Sequence, residues 1–111
     1  MAERYEIFRS TQNQQYYFHL KAPNNEIILA SEGYIQKSSC ENGISSCKVH
    51  SPFDVYYDKR VAQNSRPYFV LRAANNQVIG TSQTYSSTQA RDNGIAAVKA
   101  YGKNAPTVDL T

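Results

Sequence analysis

Two stretches of the chain decide its fold: residues 17–48, YFHLKAPNNEIILASEGYIQKSSCENGISSCK, and residues 68–99, YFVLRAANNQVIGTSQTYSSTQARDNGIAAVK. They align without a gap at an offset of 51 positions, and 13 of the 32 aligned positions are identical. Extending this register back to Tyr5 and Tyr56 gives 17 identities over 44 positions, where ordinary residue frequencies give about 3. The chain is therefore a tandem repeat.

The repeat explains the length of the chain. Units of roughly 50 residues are marginal alone, so the two copies in these 111 residues must share a core or a sheet. We predict a single domain, 1–111, with repeat one at 1–52 and repeat two at 53–111. The hydrophobic content of 41%, with 9 Tyr and 4 Phe, is typical of a folded chain and excludes a disordered one.

Each copy shows the same order of patterns. Alternating apolar residues and turn residues predict three strands, after which the period changes to about 3.6 and predicts an amphipathic helix. Asn-Asn pairs at 24–25 and 75–76 predict tight turns, and a proline with an extended stretch after each helix predicts a closing strand. The predicted strands are 5–10, 16–21, 26–30 and 52–55, then 56–61, 68–72, 77–81 and 106–109; the predicted helices are 36–48 and 87–101.

Three residues recur at the centre of both predicted helices. They are Asn42, Gly43 and Ile44 in the first copy and Asn93, Gly94 and Ile95 in the second. A glycine inside a helix loses about 1 kcal/mol relative to alanine, so its recurrence indicates a physical requirement. Close packing of the helix on the sheet is the favoured explanation, and close approach of a ligand is the alternative. We interpret these six residues as structural.

The repeated stretches and the closing sequence APTVDLT (105–111) resemble the YegP-like family of small bacterial proteins, a domain of unknown function that occurs singly or in tandem. The resemblance covers nearly the whole chain. It implies an α+β fold in which two β-β-β-α units form one mainly antiparallel sheet, with two helices packed on it and C-terminal strands exchanged between the repeats. It carries no activity over to this chain.

Residue types that catalyse reactions or bind metals are scarce. Only His19 and His50 can serve as imidazole bases, and no GxSxG, HExxH or glycine-rich phosphate loop occurs. The acidic residues lack the spacing of a calcium loop, and Cys40 and Cys47 match no common zinc pairing. We therefore expect no catalytic residue, no metal, no cofactor and no enzymatic activity. An enzyme with a single asymmetric site is the third alternative, after a protein-interaction module and a nucleic-acid binder.

The two cysteines and the N-terminus bear on location. On a predicted helix, Cys40 and Cys47 have Cα atoms about 10 Å apart, too far for a disulfide, so both are expected to be reduced and core-facing. The chain begins without an apolar signal segment and holds no apolar run of membrane length. These features predict a cytoplasmic protein without a membrane partner.

Alternation along the second strands defines a candidate binding face. It comprises Tyr17, His19 and Lys21 in the first copy and Tyr68 and Arg72 in the second, opposite to the side predicted to meet the helices.

Rings interleaved with cations suit two kinds of partner. The favoured one is a protein or a second copy of the chain, bound through this face or a sheet edge. The alternative is single-stranded nucleic acid or another polyanion, which the net charge of +3 permits without indicating. A third interpretation is that these side chains only shield the sheet.

Overall fold

A computed structural model describes residues 2–111 as seven strands and two helices. The elements are β1 (Arg4–Arg9), β2 (Tyr16–Lys21), β3 (Ile27–Ala30), α1 (Lys37–His50), β4 (Tyr57–Val61), β5 (Pro67–Arg72), β6 (Val78–Thr81), α2 (Thr88–Tyr101) and β7 (Thr107–Asp109). A 3₁₀ turn, Asp54–Tyr56, precedes β4. Every predicted element except the strand at 52–55 is present to within two residues at each end.

The strands of both repeats form one sheet in the order β4-β5-β6-β3-β2-β1-β7. All neighbouring pairs are antiparallel except β1 and β7, which are parallel, and the repeats join where Ala30 pairs with Thr81. Both helices pack on one face, against side chains such as Phe18 and Phe69 that are fully buried. The predicted α+β fold is therefore confirmed.

The Asn-Asn turns between second and third strands form as predicted. Asn25 has a φ of 70° and Asn76 a φ of 71°, in the left-handed region that asparagine tolerates better than most residues. The preceding asparagine supports each turn, because Asn24 Oδ1 accepts from the Glu26 N–H at 3.0 Å and Asn75 makes the equivalent bond. The Asn-Asn dipeptide therefore forms the same tight turn in both repeats.

The recurring helix glycines face the sheet at close range. A Cβ at Gly43 would lie 2.5 Å from Tyr34 Oη, and one at Gly94 would lie 2.2 Å from Tyr85 Oη, with the sheet phenylalanine of the same repeat at 3.2 Å in both cases. No real Cβ contact is that short, so each glycine lets a loop tyrosine pass beneath the helix. This geometry supports the packing explanation for both glycines.

The neighbours of these glycines differ in burial. Ile44 and Ile95 lie in the core, with 5% and 7% of their surface exposed. Asn42 and Asn93 are exposed, so helix packing does not explain why they recur.

The first strand departs from the gapless repeat by one residue. Tyr5 pairs with Leu20, and Tyr57 pairs with Leu71, which is the repeat counterpart of Leu20. Tyr57 and not Tyr56 is therefore equivalent to Tyr5. The turn between the first two strands spans residues 10–15 in one copy and 62–66 in the other, so the first turn holds the extra residue. The gapless alignment is wrong for the first strand.

The closing strands are exchanged in one direction only. β7 follows α2 and pairs with β1 of the other repeat, as predicted. Residues 52–55 form no strand, because the turn Asp54–Tyr56 leads straight into β4. A strand there would have to run parallel to β4, and parallel neighbours need a crossover of about a dozen residues. Residues 51–56 are too few, so the predicted strand at 52–55 is wrong.

Two tyrosine hydroxyls tie the helix ends to the sheet. Tyr5 Oη donates to the carbonyl of Gly102 at 2.6 Å, and Tyr57 Oη donates to the carbonyl of Ser51 at 2.6 Å. Ser51 and Gly102 directly follow α1 and α2. Both bonds cross from one predicted repeat to the other, so neither half is complete without its neighbour.

Candidate functional site

The predicted binding residues lie on the sheet face opposite the helices, in two separate groups. Tyr17, His19 and Lys21 alternate along β2, and Tyr68 and Arg72 along β5. Because β3 and β6 lie between these strands, three strand spacings of about 4.8 Å separate the groups by about 14 Å. The structure therefore places them on one surface without bringing them into one cluster.

An aromatic cluster surrounds the first group. Phe8 stacks on Tyr17 with ring centroids 5.9 Å apart, and its ring meets that of His19 edge-on at 4.8 Å. Burial, with a smaller contribution from the charge of Lys21, lowers the pKa of His19 below its usual 6.5. Val70 replaces His19 in the second repeat, so this cluster exists on one half of the face only.

Carboxylates of the first strands neutralise part of the basic charge on this face. Glu6 lies 2.8 Å from both Lys21 Nζ and Arg4 Nε. The hydrogen bond from Lys21 is the main cause that lowers the pKa of Glu6. Two cations and one carboxylate leave this half of the face with one positive charge.

The second repeat arranges its charges in the same way. Asp58 lies 2.9 Å from Arg72 Nε and 3.4 Å from Arg60 Nη2. The hydrogen bond from Arg72 is the main cause that lowers the pKa of Asp58. Lys21 and Arg72, the two cations of the predicted face, are therefore both ion-paired. Cations that already have carboxylate partners favour a protein as the binding partner over the phosphate backbone of a nucleic acid.

Sequence reasoning missed Glu6, Phe8 and Asp58. All three lie on the first strand of a repeat, where the gapless alignment equates Glu6 with Tyr57. Allowing one extra residue in the first turn of repeat one aligns Glu6 with Asp58. This match of two carboxylates is the signal that could have revealed the ion pairs with Lys21 and Arg72.

Cys40, Cys47 and His50 are buried or hydrogen-bonded within the fold. Cys40 and Cys47 are free and buried, and burial raises their thiol pKa to about 11 and about 12, which keeps them protonated and poorly nucleophilic. His50 Nδ1 lies 2.8 Å from the Ser46 carbonyl, and its Nε2 accepts the Ala74 N–H at 3.1 Å. Residues 2–111 hold no cluster of three side chains placed for a metal and no helix able to span a bilayer.

The two edges of the sheet differ in what lies beside them. At one edge β7 runs along β1, where the Tyr5 N–H donates to the Pro106 carbonyl and the Leu110 N–H donates to the Ile7 carbonyl, both at 2.8 Å. β4 occupies the opposite edge, and no strand from the described residues runs along its outer side.

A groove accompanies the open edge. A cavity of about 600 Å³ lies between β4 and α2, lined by Tyr57 and Lys59 from the strand and by Asp92, Ile95 and Lys99 from the helix. The groove combines an apolar floor at Ile95 with charged walls.

Comparison with known proteins identifies relatives along the whole chain. A family model described as a domain of unknown function, DUF1508, matches twice, at residues 12–58 and 62–109. A UPF0339 protein of Shewanella oneidensis is 53% identical over 111 residues, and the UPF0339 protein YegP of Escherichia coli K12 is 47% identical over 111 residues, with full coverage of both chains in each case.

Two solved structures share the fold. The solution NMR structure of a UPF0339 protein from Shewanella oneidensis has a TM-score of 0.92 at 53% identity and covers 100% of this chain and 93% of that chain. The solution NMR structure of yegP from Escherichia coli, a protein of unknown function, has a TM-score of 0.93 at 46% identity, with 100% and 95% coverage. The resemblance drawn from the repeated stretches is thereby confirmed: the chain belongs to the DUF1508/UPF0339 family, as two tandem copies of the domain.

Proposed function

We propose that the protein is a non-enzymatic interaction module that binds an extended segment of a partner protein along the β4 edge. The difference between the two sheet edges carries this proposal. The first strand of repeat one is covered by β7, whereas the first strand of repeat two has the same geometry and no strand beside it among residues 2–111. An added strand would complete β4 as β7 completes β1.

The backbone of β4 offers free hydrogen-bonding groups on its outer side. Lys59 pairs with Phe69, whose N–H and carbonyl both bond to Ser82 on the far side, at 2.9 Å each. In an antiparallel pair, two facing residues direct their N–H and carbonyl groups either toward each other or both away from each other. Because those of Phe69 point away from β4, the N–H and carbonyl of Lys59 point outward, away from β5. Val61 and Val55, exposed by 67% and 69%, flank this edge.

The charge at the edge favours an acidic segment. In β7, Asp109 pairs with Ile7 and forms an ion pair with Lys37. Lys59 on β4 is the counterpart of Ile7 on β1. A parallel strand added along β4 would therefore place its residue equivalent to Asp109 beside the Lys59 cation. Asp92 lies 3.3 Å from Lys59 but also 3.0 Å from Arg91, and so keeps a partner when Lys59 turns to an incoming carboxylate.

A labelled peptide of residues 105–111, APTVDLT, tests the proposal as a probe added to the full chain. We expect the fluorescence anisotropy of the peptide to rise to saturation as protein is added. We also expect chemical-shift changes of the protein amides along Tyr57–Val61. Lys59→Pro removes the outward N–H without breaking a bond to β5. It should weaken binding about fivefold to tenfold, the loss expected for one backbone hydrogen bond. Lys59→Ala, which keeps that N–H, is the matched control, and asparagine replacing the aspartate of the peptide should weaken binding.

Three results would overturn the proposal. The first is peptide binding that maps to β1 instead of β4. The second is equal affinity in Lys59→Pro and Lys59→Ala. The third is self-association of the chain, measured by light scattering, that Lys59→Pro abolishes, since it would identify the occupant of the edge as a second copy.

The nucleic-acid alternative has its own arm in the same experiment. Stacking of Phe8 on Tyr17 is the observation that favours it. A single-stranded oligonucleotide would then bind with affinity that drops steeply as salt rises and falls in Lys21→Glu with Arg72→Glu. Binding of this kind, without peptide binding, would replace the proposed function.

A further inference from the structure

The groove between β4 and α2 has a counterpart in repeat one that β7 occupies. Thr107 of β7 pairs with Tyr5, and Asp109 pairs with Ile7. The ion pair of Asp109 with Lys37 of α1 places the Asp109 side chain on the helix face of the sheet. Because side chains alternate along a strand, Thr107, two residues earlier, faces the helix as well.

A segment bound along β4 in the same register would direct one side chain into the groove. Its residue equivalent to Thr107 would pair with Tyr57, the counterpart of Tyr5. The groove of about 600 Å³ lies on the helix face of this position, with Ala96 on its wall and Ile95 at its floor. That side chain would therefore lie between β4 and α2.

The strand wall of the groove differs between the two repeats. In repeat one, Ile7 is 1% exposed and belongs to the core. Its counterpart Lys59 instead extends toward Asp92, 3.3 Å away, with 53% of its side chain exposed. The first strand of repeat two thus contributes no apolar side chain at the position that Ile7 fills in repeat one.

The helix wall differs in the same sense. Glu41 of α1 corresponds to Asp92 of α2, whose side chain is shorter by one methylene group. Ser45 of α1 corresponds to Ala96, which has no hydroxyl. The groove of repeat two is therefore wider at Asp92 and apolar at Ala96.

A lysine at the end of the groove is directed away from the tyrosine of repeat two. In repeat one, Lys48 Nζ lies 5.6 Å from the centre of the Tyr5 ring, which is fully buried. The equivalent Lys99 binds Asp54 at 2.6 Å instead. Tyr57 is only half-buried, so part of it remains open to a ligand.

These differences define the side chain that the groove accepts. We propose, on the basis of the peptide-binding function proposed above, that the bound segment carries a large apolar residue such as leucine two positions before its acidic residue. The apolar side chain lies against Tyr57, Ile95 and Ala96, and the acidic residue meets Lys59. β7 has threonine at this position, so the groove distinguishes such a partner from a second copy of the chain.

Two peptides of identical composition, each added to the full chain, test the position of the apolar residue. APLTDLT has leucine at the position of Thr107, and APTLDLT has it at the position of Val108. In the second peptide the leucine would face the opposite side of the sheet, beside the ion pair of Asp58 with Arg60. We expect APLTDLT to bind about fivefold more tightly, because an open groove buries roughly half of a leucine side chain.

Methyl shifts and one variant locate the leucine in the groove. The methyl signals of Ile95 and Ala96 should shift more with APLTDLT than with APTLDLT. Ala96→Gln, at an exposed position, places a longer polar side chain in the groove and should make the two peptides bind equally. Ala100→Gln, also exposed and on the same helix, is the matched control and should keep the fivefold difference.

The failure of this proposal is distinct from that of the proposed function. Equal affinity of the two peptides for the unmodified chain, or tighter binding of APTLDLT, overturns the proposal while peptide binding along β4 stands. A difference that persists in Ala96→Gln also overturns it, since the leucine would then lie outside the groove. If no peptide, APTVDLT included, maps to β4, both proposals are wrong.

Discussion

At Gly94, a hydrogen atom occupies space that a methyl group would share with the Tyr85 ring, since a Cβ there would lie 2.2 Å from its hydroxyl oxygen and 2.7 Å from Cζ. The same arrangement recurs at Gly43 and Tyr34. Recurrence in both copies pointed to a packing requirement, but not to the tyrosine responsible for it, because a loop residue nine positions earlier leaves no periodic signal on the helix.

Gly94→Ala is expected to destabilise the protein by about 1–2 kcal/mol, although alanine is the better helix former. Overpacking against Tyr85 outweighs a propensity gain of about 1 kcal/mol. Urea denaturation measures the effect. Ala96→Gly, at an exposed position of the same helix, serves as the control and should lose about 1 kcal/mol from propensity alone. If Gly94→Ala instead stabilised the protein, the Tyr85 ring would have moved away from the new methyl group at little energetic cost.

Among the elements, those within each repeat and the closing strand at 106–109 were predictable from the sequence, whereas the pairing of that strand and the missing strand at 52–55 were not. Alternation in β2 and β5 and the Asn-Asn turns are local patterns, so the chain carries them in any short window. The parallel pairing of β7 with β1 depends on contacts about 100 residues apart and entered only through the resemblance to a family. The absence of a matching strand at 52–55 follows from the short link between α1 and β4.

The hydrogen bonds that Tyr5 and Tyr57 make at the helix ends predict unequal contributions of the two hydroxyls to stability. Tyr5→Phe should lower the free energy of unfolding by about 1–3 kcal/mol, because Tyr5 is fully buried and the Gly102 carbonyl loses its side-chain donor. Tyr57→Phe should lower it by less, since Tyr57 is half-buried. Urea denaturation of both variants checks the order, and a larger effect for Tyr57→Phe would contradict it.

For the whole molecule, the sequence revealed which residues share the uncovered face but not their ion pairing. Lys21 and Arg72 were assigned correctly to one face, yet their partners Glu6 and Asp58 were hidden by the extra residue in the first turn.

The paired carboxylates predict a stability that depends on pH. Ion pairs hold the pKa values of Glu6 and Asp58 below their ordinary values of 4.5 and 3.8. The unfolded chain therefore binds more protons than the native one in this range, so stability is fully present above about pH 5 and declines as pH falls through the lowered values. Unfolding free energies between pH 7 and 2 should show this decline.

The contribution of these two groups can be isolated. Glu6→Gln with Asp58→Asn should flatten the decline below pH 5. The stability at pH 7 should also drop, mainly through the loss of Glu6, because the Arg4 and Glu6 side chains are only 7% and 13% exposed whereas those of Arg72 and Asp58 are 28% and 30% exposed. An unchanged slope in the double variant would assign the acid sensitivity to other groups.

The pairing of β1 with β7 also orders events in time. β1 is synthesised about 100 residues before β7, and its outer edge stays bare until residues 107–109 have emerged. Repeat one therefore lacks the strand that covers β1 until the end of repeat two has been made, and a translational pause before these residues would lengthen the period in which the edge is open to other nascent chains.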